Sequence, residues 1–205
     1  MKLSAVVFDF GGVMTTSTMP QRVIELAREK NIPWEAIERG FSAHRLRYDG
    51  DFITLKEMYS AIWSDAGLSV DEETTELFMK EDTASWLYRR ERTRQWMEEL
   101  KNRGFKIGIL TNMNSTFGNR HFKRAFADYI ALADAMVISG EEHIYKPMPE
   151  IYDLMRERIA VAADEICFID DVEKNTAGAE ACGWRAIRFI TNEQTEEDFE
   201  RLLRS

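Results

Sequence analysis

The chain has 205 residues, 44% apolar and 31% charged, which excludes a disordered polymer and leaves material for one full hydrophobic core. Its formal net charge of −9 argues against nucleic acid and anionic membrane as partners, because an acidic surface repels phosphates. Two cysteines and three histidines provide neither a disulfide framework nor zinc-ligand spacing.

In chain order, the first β-rich run is Ala5-Val6-Val7-Phe8, ending at Asp9. The apolar stretch from Leu3 to Phe8 is shorter than a signal-peptide core, and no stretch approaches the ~20 apolar residues that cross a bilayer. A cytoplasmic protein is therefore expected. From Thr16 to Arg89 there is no clear strand, only helical periodicity with start signals at Pro20, at Thr54 with Glu57 and at Ser69 with Glu72. Tyr48-Asp49-Gly50-Asp51 marks a turn between two helical segments. A helical insert of some seventy residues thus follows the first strand.

Thr93 to Asn102 then reads as a helix, with Trp96, Met97 and Leu100 on one face and Gly104 as its stop. The second strand, Lys106-Ile107-Gly108-Ile109-Leu110, ends at Thr111 and the third, Ala135-Met136-Val137-Ile138, at Ser139. A helix over Glu150–Ile159 precedes the fourth strand, Ile166-Cys167-Phe168-Ile169, which ends at Asp170. An Ala-rich helix over Lys174–Cys182 stops at Gly183, a fifth strand covers Arg185–Ile190, and Thr195 with Asp198 caps a last helix to Arg204. The second and fourth strands are apolar on both faces, as central parallel strands are. Alternation of strands and helices predicts an α/β fold with a five-stranded parallel sheet. Cys167 and Cys182 are expected as buried free thiols in a reducing compartment.

Ligands of open α/β sheets bind beyond the carboxyl ends of the strands. The polar residues there are Asp9 followed by Gly11-Gly12, Thr111-Asn112, Lys146-Pro147 in the loop after strand three, and Asp170-Asp171. Each alone has an ordinary reading as a turn, a cap or a solvated face. Together they bring three carboxylates, a hydroxyl and an ammonium to one edge, and the adjacent Asp170-Asp171 pair invites a cation.

On these residues the sequence resembles the haloacid dehalogenase-like (HAD) superfamily of hydrolases. The segments are Val6-Val7-Phe8-Asp9-Phe10-Gly11-Gly12-Val13, Ile109-Leu110-Thr111-Asn112, Lys146-Pro147-Met148-Pro149-Glu150-Ile151-Tyr152, and Phe168-Ile169-Asp170-Asp171 with Asn175. The opening looks closest to the branch with the phosphatase domain of soluble epoxide hydrolases and small bacterial sugar-phosphate phosphatases. The resemblance implies a Rossmann-like core, residues 1–15 and 90–205, carrying a helical cap, residues 16–89. It implies a Mg2+-dependent phosphohydrolase acting on a small phosphorylated metabolite. Asp9 would be the nucleophile that forms an aspartyl-phosphate, ionised at its ordinary pKa of about 4. Thr111 and Asn112 would bind the phosphoryl oxygens, and Lys146 would offset charge between nucleophile and phosphate. Asp9, Asp170, Asp171 and the backbone carbonyl of Gly11 would hold Mg2+.

The sequence departs from the family pattern at Gly11, where phosphatases of the family usually carry a second Asp as general acid and base. Either a cap residue or metal-bound water replaces it, or the natural substrates have good leaving groups. Thr15, Thr16 and His44 are candidates by position. Two other readings are a metal-independent 2-haloacid dehalogenase, which also uses the Asp9 position but has small polar residues in place of Asp170-Asp171, and a catalytically weak binding or regulatory member. In the insert, Trp34, Phe41, Tyr48, Phe52, Tyr59, Trp63, Phe78 and Trp86 read mainly as its own core, while His44, Arg45 and Arg47 are candidate substrate contacts or a solvated face. The small cap favours small-molecule substrates, and composition leaves the oligomeric state open.

Overall fold

The computed structural model describes residues 2–16 and 21–204. Five parallel strands form one sheet in the order β3-β2-β1-β4-β5, with β1 Ala5–Phe8, β2 Lys106–Thr111, β3 Ala135–Ile138, β4 Ile166–Asp170 and β5 Arg185–Arg188. The strands alternate their side chains between two buried faces. Val6, Phe8, Ile107, Ile109, Cys167 and Ile169 pack under α5 (Glu91–Asn102) and the C-terminal α8 (Asn192–Arg204), through Trp96, Leu100 and Phe199. Ala5, Val7, Leu110, Val137 and Phe168 pack under α6 (Pro149–Ile159) and α7 (Glu173–Ala181), through Ile151, Tyr152, Met155 and Ala179. The doubly apolar runs are thus central strands covered on both faces. Gly108 in β2 marks the closest approach, since a Cβ there would lie 2.2 Å from Met155 Cε.

Among the described residues, four helices lie between β1 and α5: α1 Gln21–Glu29, α2 Trp34–Asp49, α3 Leu55–Asp65 and α4 Glu72–Ser85. They bury their own cluster, including Val23, Ile37, Met58, Tyr59, Ile62, Trp63 and Phe78. Thr54 and Glu57 form the expected capping box of α3. The helix start expected at Pro20 lies outside the described residues. Among the described residues no helix is long and apolar enough to cross a membrane.

Three local expectations are corrected. Asp71, rather than Ser69, caps α4, its carboxylate accepting from the Thr74 N–H at 2.7 Å. A carboxylate one residue before the helix reaches the free amides directly and also complements the helix dipole. The last helix begins at Asn192, with Thr191 Oγ1 accepting from the Gln194 N–H, so Thr195 lies inside it. β5 stops at Arg188: β4 ends at Asp170, whose carbonyl takes the last bond from Phe189, and Ile190 turns to solvent. Both cysteines are free, Cys167 buried and Cys182 only half-buried.

Candidate active site

The chain leaves β1 at Asp9, β2 at Thr111 and β4 at Asp170, so all three residues emerge at the same edge of the sheet. There the Lys146 ammonium is inserted between two carboxylates, 2.8 Å from Asp9 Oδ1 and 2.6 Å from Asp170 Oδ2. Lys146 is 1% exposed and Asp170 fully buried. A lysine so deep is stabilised only because it is paired twice. The attraction of Asp170 and Asp9 outweighs the cost of burial and holds Lys146 above its ordinary range. Asp170 is fixed further by the Val172 N–H on Oδ1 at 2.8 Å and by Asn175 Nδ2, 3.1 Å from each of its oxygens.

One carboxylate oxygen from each of Asp9, Asp170 and Asp171 lies within 4.8 Å of the others. Three hard oxygen donors so close, with one ammonium among them, leave an excess of negative charge that suits Mg2+ and no soft metal. Burial pushes the Asp171 carboxyl up to about 6, with Asp170 adding to the shift. Burial likewise raises Asp9 above the ordinary carboxylate range, and Asp170 and Asp171 add to the rise against the pull of Lys146. The expectation that Asp9 keeps an ordinary pKa is therefore corrected. One lysine does not offset desolvation and two neighbouring carboxylates.

The other sequence-predicted residues divide. Gly11 lies in the turn after Asp9 and lines a cavity of about 580 Å³ with Asp9, Lys146 and Asp171. Thr111 is buried at the end of β2 and is not part of the cavity lining. Asn112 does line the cavity, but both ends of its side-chain amide hold the backbone of Lys146. That role as a lysine clamp was not expected from sequence.

The roof of the cavity comes from the helical insert: Phe41, Ser42, Arg45, Leu46, Tyr48, Asp49 and Trp86. Phe41 and Tyr48 thus serve the cavity as well as the insert's own cluster, whereas Trp86, expected in that cluster, packs against the core under the sheet, and Phe52 is exposed. Of the three uncertain cap residues only Arg45 reaches the cavity. It stacks 4.9 Å from the Trp86 ring centre and pairs with Asp49 at 3.0 Å and Asp82 at 3.8 Å. Arg47 is exposed. His44 Nε2 lies 2.7 Å from Asp65, outside the lining. Thr15 is buried beside the Arg89 bridge, and the Thr16 hydroxyl faces the Tyr88 carbonyl. None of Thr15, Thr16 and His44 therefore lines the cavity as a substitute for a side chain at residue 11. Asp49 does, although in sequence it reads only as part of a turn.

A family description, haloacid dehalogenase-like hydrolase, matches residues 3–183. Over its whole length the chain is 27% identical to phosphatase MT3486 of Mycobacterium tuberculosis, covering 95% of that protein. It is 29% identical over 93 residues to (S)-2-haloacid dehalogenase 4A of Burkholderia cepacia, spanning 45% of this chain and 39% of that one. The fold matches an enzyme of Bacteroides thetaiotaomicron, bt-2542, in complex with magnesium and inorganic phosphate. The TM-score is 0.68 at 23% identity, over 93% of this chain and 96% of that one.

Proposed function

We infer that this chain, which belongs to the haloacid dehalogenase-like hydrolases, is a Mg2+-dependent phosphohydrolase acting on a small phosphorylated metabolite. The observation that carries the reading is the meeting of Asp9, Asp170 and Asp171, with Lys146 between the first two, at the edge of an open cavity. A 2-haloacid dehalogenase needs the Asp9 nucleophile but no cation, and three carboxylates this close are costly to maintain without one. Phosphatase MT3486, similar along the whole chain, supports the same choice.

In this reading Asp9 attacks phosphorus as the ester P–O bond breaks, leaving an aspartyl-phosphate that water then hydrolyses. Lys146 neutralises part of the charge that nucleophile and phosphoryl group bring together, and its two carboxylate partners fix its ammonium in place. Asn112 positions that lysine through its backbone, and the family resemblance would give the Thr111 hydroxyl a phosphoryl oxygen, although the side chain lies outside the cavity lining. Asp9, Asp170, Asp171 and the Gly11 carbonyl would hold the metal, whose bound charge screens the nucleophile from the phosphate and favours the ionised form of Asp9. Residues 16–89 act as the cap that shapes the pocket, as in the branch containing the epoxide hydrolase phosphatase domain. Phe41, Leu46, Tyr48 and Trp86 give the roof an apolar part that suits the leaving group of a small phosphate ester, beside the charged Arg45 and Asp49.

The test is hydrolysis of p-nitrophenyl phosphate by the purified protein with and without Mg2+, beside Asp9→Asn. Turnover that requires Mg2+ and is lost in the variant is expected. Halide release from 2-chloropropionate without phosphate release would establish the dehalogenase instead.

A further inference from the structure

Ester hydrolysis through Asp9 needs a proton for the departing oxygen and a base for the incoming water, and Gly11 supplies neither. The cap reaches over residue 11, where a Cβ would be in van der Waals contact with Trp86 Cζ3 at 3.4 Å. We propose that Asp49, at the C-terminal end of α2, is the general acid and base of this enzyme. The proposal rests on the phosphohydrolase reading above.

Among the described residues that line the cavity, the carboxylates are Asp9, Asp49 and Asp171, and no histidine is present. Asp9 is the nucleophile and Asp171 belongs to the metal-binding cluster, which leaves Asp49. It is also held against the core. Ser139 Oγ donates to the Asp49 carbonyl at 2.7 Å, and Asn114 Nδ2 donates to the Tyr48 carbonyl at 3.0 Å. The Ser115 N–H donates to Asp51 Oδ1 at 2.9 Å. The loops after β2 and β3 thus fix this turn of the cap above the strand ends.

The charges around Asp49 explain how it carries a proton. Arg45 and Tyr48 face it from α2, Asp82 from α4 and Lys146 from the core. Asp49 and Asp82 share the Arg45 guanidinium, two carboxylates to one cation in a buried site. Asp82 also accepts from Trp86 Nε1 at 3.0 Å and the Tyr59 hydroxyl at 3.4 Å, donors that favour its ionised form. Burial raises both carboxyls, and it pushes Asp49 up to about 6 even with the Arg45 guanidinium 3.0 Å away, so Asp49 is the cavity-lining member of the pair that can carry a proton. A group poised there both gives and accepts a proton near neutral pH.

In the first step an Asp9 oxygen bonds to phosphorus while the bond from phosphorus to the alcohol oxygen breaks. That oxygen takes the Asp49 proton and leaves as the alcohol. In the second step Asp49 takes a proton from water as the water oxygen attacks phosphorus. The bond to Asp9 breaks, and inorganic phosphate departs with the other water proton.

The experiment compares kcat/KM for p-nitrophenyl phosphate, phenyl phosphate and an alkyl phosphate in wild type and Asp49→Asn, with Mg2+ saturating. The acidic nitrophenol leaves without help, so its ester should lose less than about tenfold, while the alkyl ester should lose ~10²–10⁴. Equal losses on all three esters, or no loss, overturn the proposal. If Asp49→Asn does not fold, wild type decides the matter alone. Its dependence on leaving group should be shallow near pH 6 and steepen at alkaline pH, and a dependence that ignores pH overturns the assignment. A wild type inactive on p-nitrophenyl phosphate with Mg2+ would instead remove the phosphohydrolase reading itself.

Discussion

Asn112 and Lys146 are joined twice through one side chain: Asn112 Nδ2 donates to the Lys146 carbonyl at 3.0 Å, and Asn112 Oδ1 accepts from the Lys146 N–H at 2.8 Å. The pairing imitates a strand-to-strand bond between loops 34 residues apart and aims the lysine at Asp9 and Asp170. Asn112→Ala is expected to cost about 1–3 kcal/mol of stability, because two backbone groups of a part-buried segment lose their partner. It should lower kcat roughly 10–100-fold, as loss of an orienting neighbour does. Urea unfolding and steady-state kinetics on one preparation check both. Unchanged kcat would mean that Lys146 keeps its place without the clamp.

The carboxylate cluster makes metal binding a stability measurement. Mg2+ at 100 times its Kd should add about 2.7 kcal/mol, roughly 5–10 °C in Tm for a chain of this size. Asp171→Asn should weaken that gain while leaving the metal-free protein at least as stable as wild type, since one member of a repelling group is removed. Thermal melts with Mg2+ and with EDTA provide the comparison. An identical Mg2+ shift in the variant would remove Asp171 from the binding set.

Asp49 also predicts a pH dependence of folding. Its folded carboxyl, at about 6, lies above the reference 3.8, so the native state binds more protons between those values. The stability it contributes is full below about pH 4, falls as pH rises through about 6, and is constant beyond. Across that window wild type should lose of order 2 kcal/mol relative to Asp49→Asn. Urea midpoints of both proteins from pH 4 to 7.5 measure the difference. A difference that rises with pH would contradict the burial argument.

Gly140 bears on how the cap is held. A Cβ there would lie 2.5 Å from the Ser115 nitrogen and 2.8 Å from the Met113 carbonyl oxygen, and neither is a flexible side-chain end. Gly140→Ala should therefore push apart the loops that bind Asp49 and Asp51, costing about 1–3 kcal/mol. Activity is expected to fall more on alkyl than on nitrophenyl phosphate, because the displaced group is the one assigned to the leaving oxygen. Chemical denaturation and the two-substrate rate ratio are the readouts.

The strands, the insert and most of the site were legible in sequence because each depends on nearby residues. Period-two and doubly apolar runs identify parallel strands, and Asp9, Thr111 and Asp170 follow from where those runs stop. Capping was legible where donor and acceptor lie three residues apart, as at Thr54 and Glu57. It was misread at Ser69 and Thr195, where several hydroxyls and carboxylates compete for the same amides.

The chain by itself determined the sheet, the helical insert after β1 and the convergence of Asp9, Lys146 and Asp170-Asp171 at the strand ends. Only the tertiary structure decided the electrostatics and the roof. The raised carboxyls of Asp9 and Asp49 depend on how much water and how many charges surround them, which the order of residues does not state. Asp49 reaches the cavity because Asn114, Ser115 and Ser139 hold its turn across separations of 63 to 90 residues. Contacts at that range are set by the packing of the insert on the core, and no local pattern encodes them.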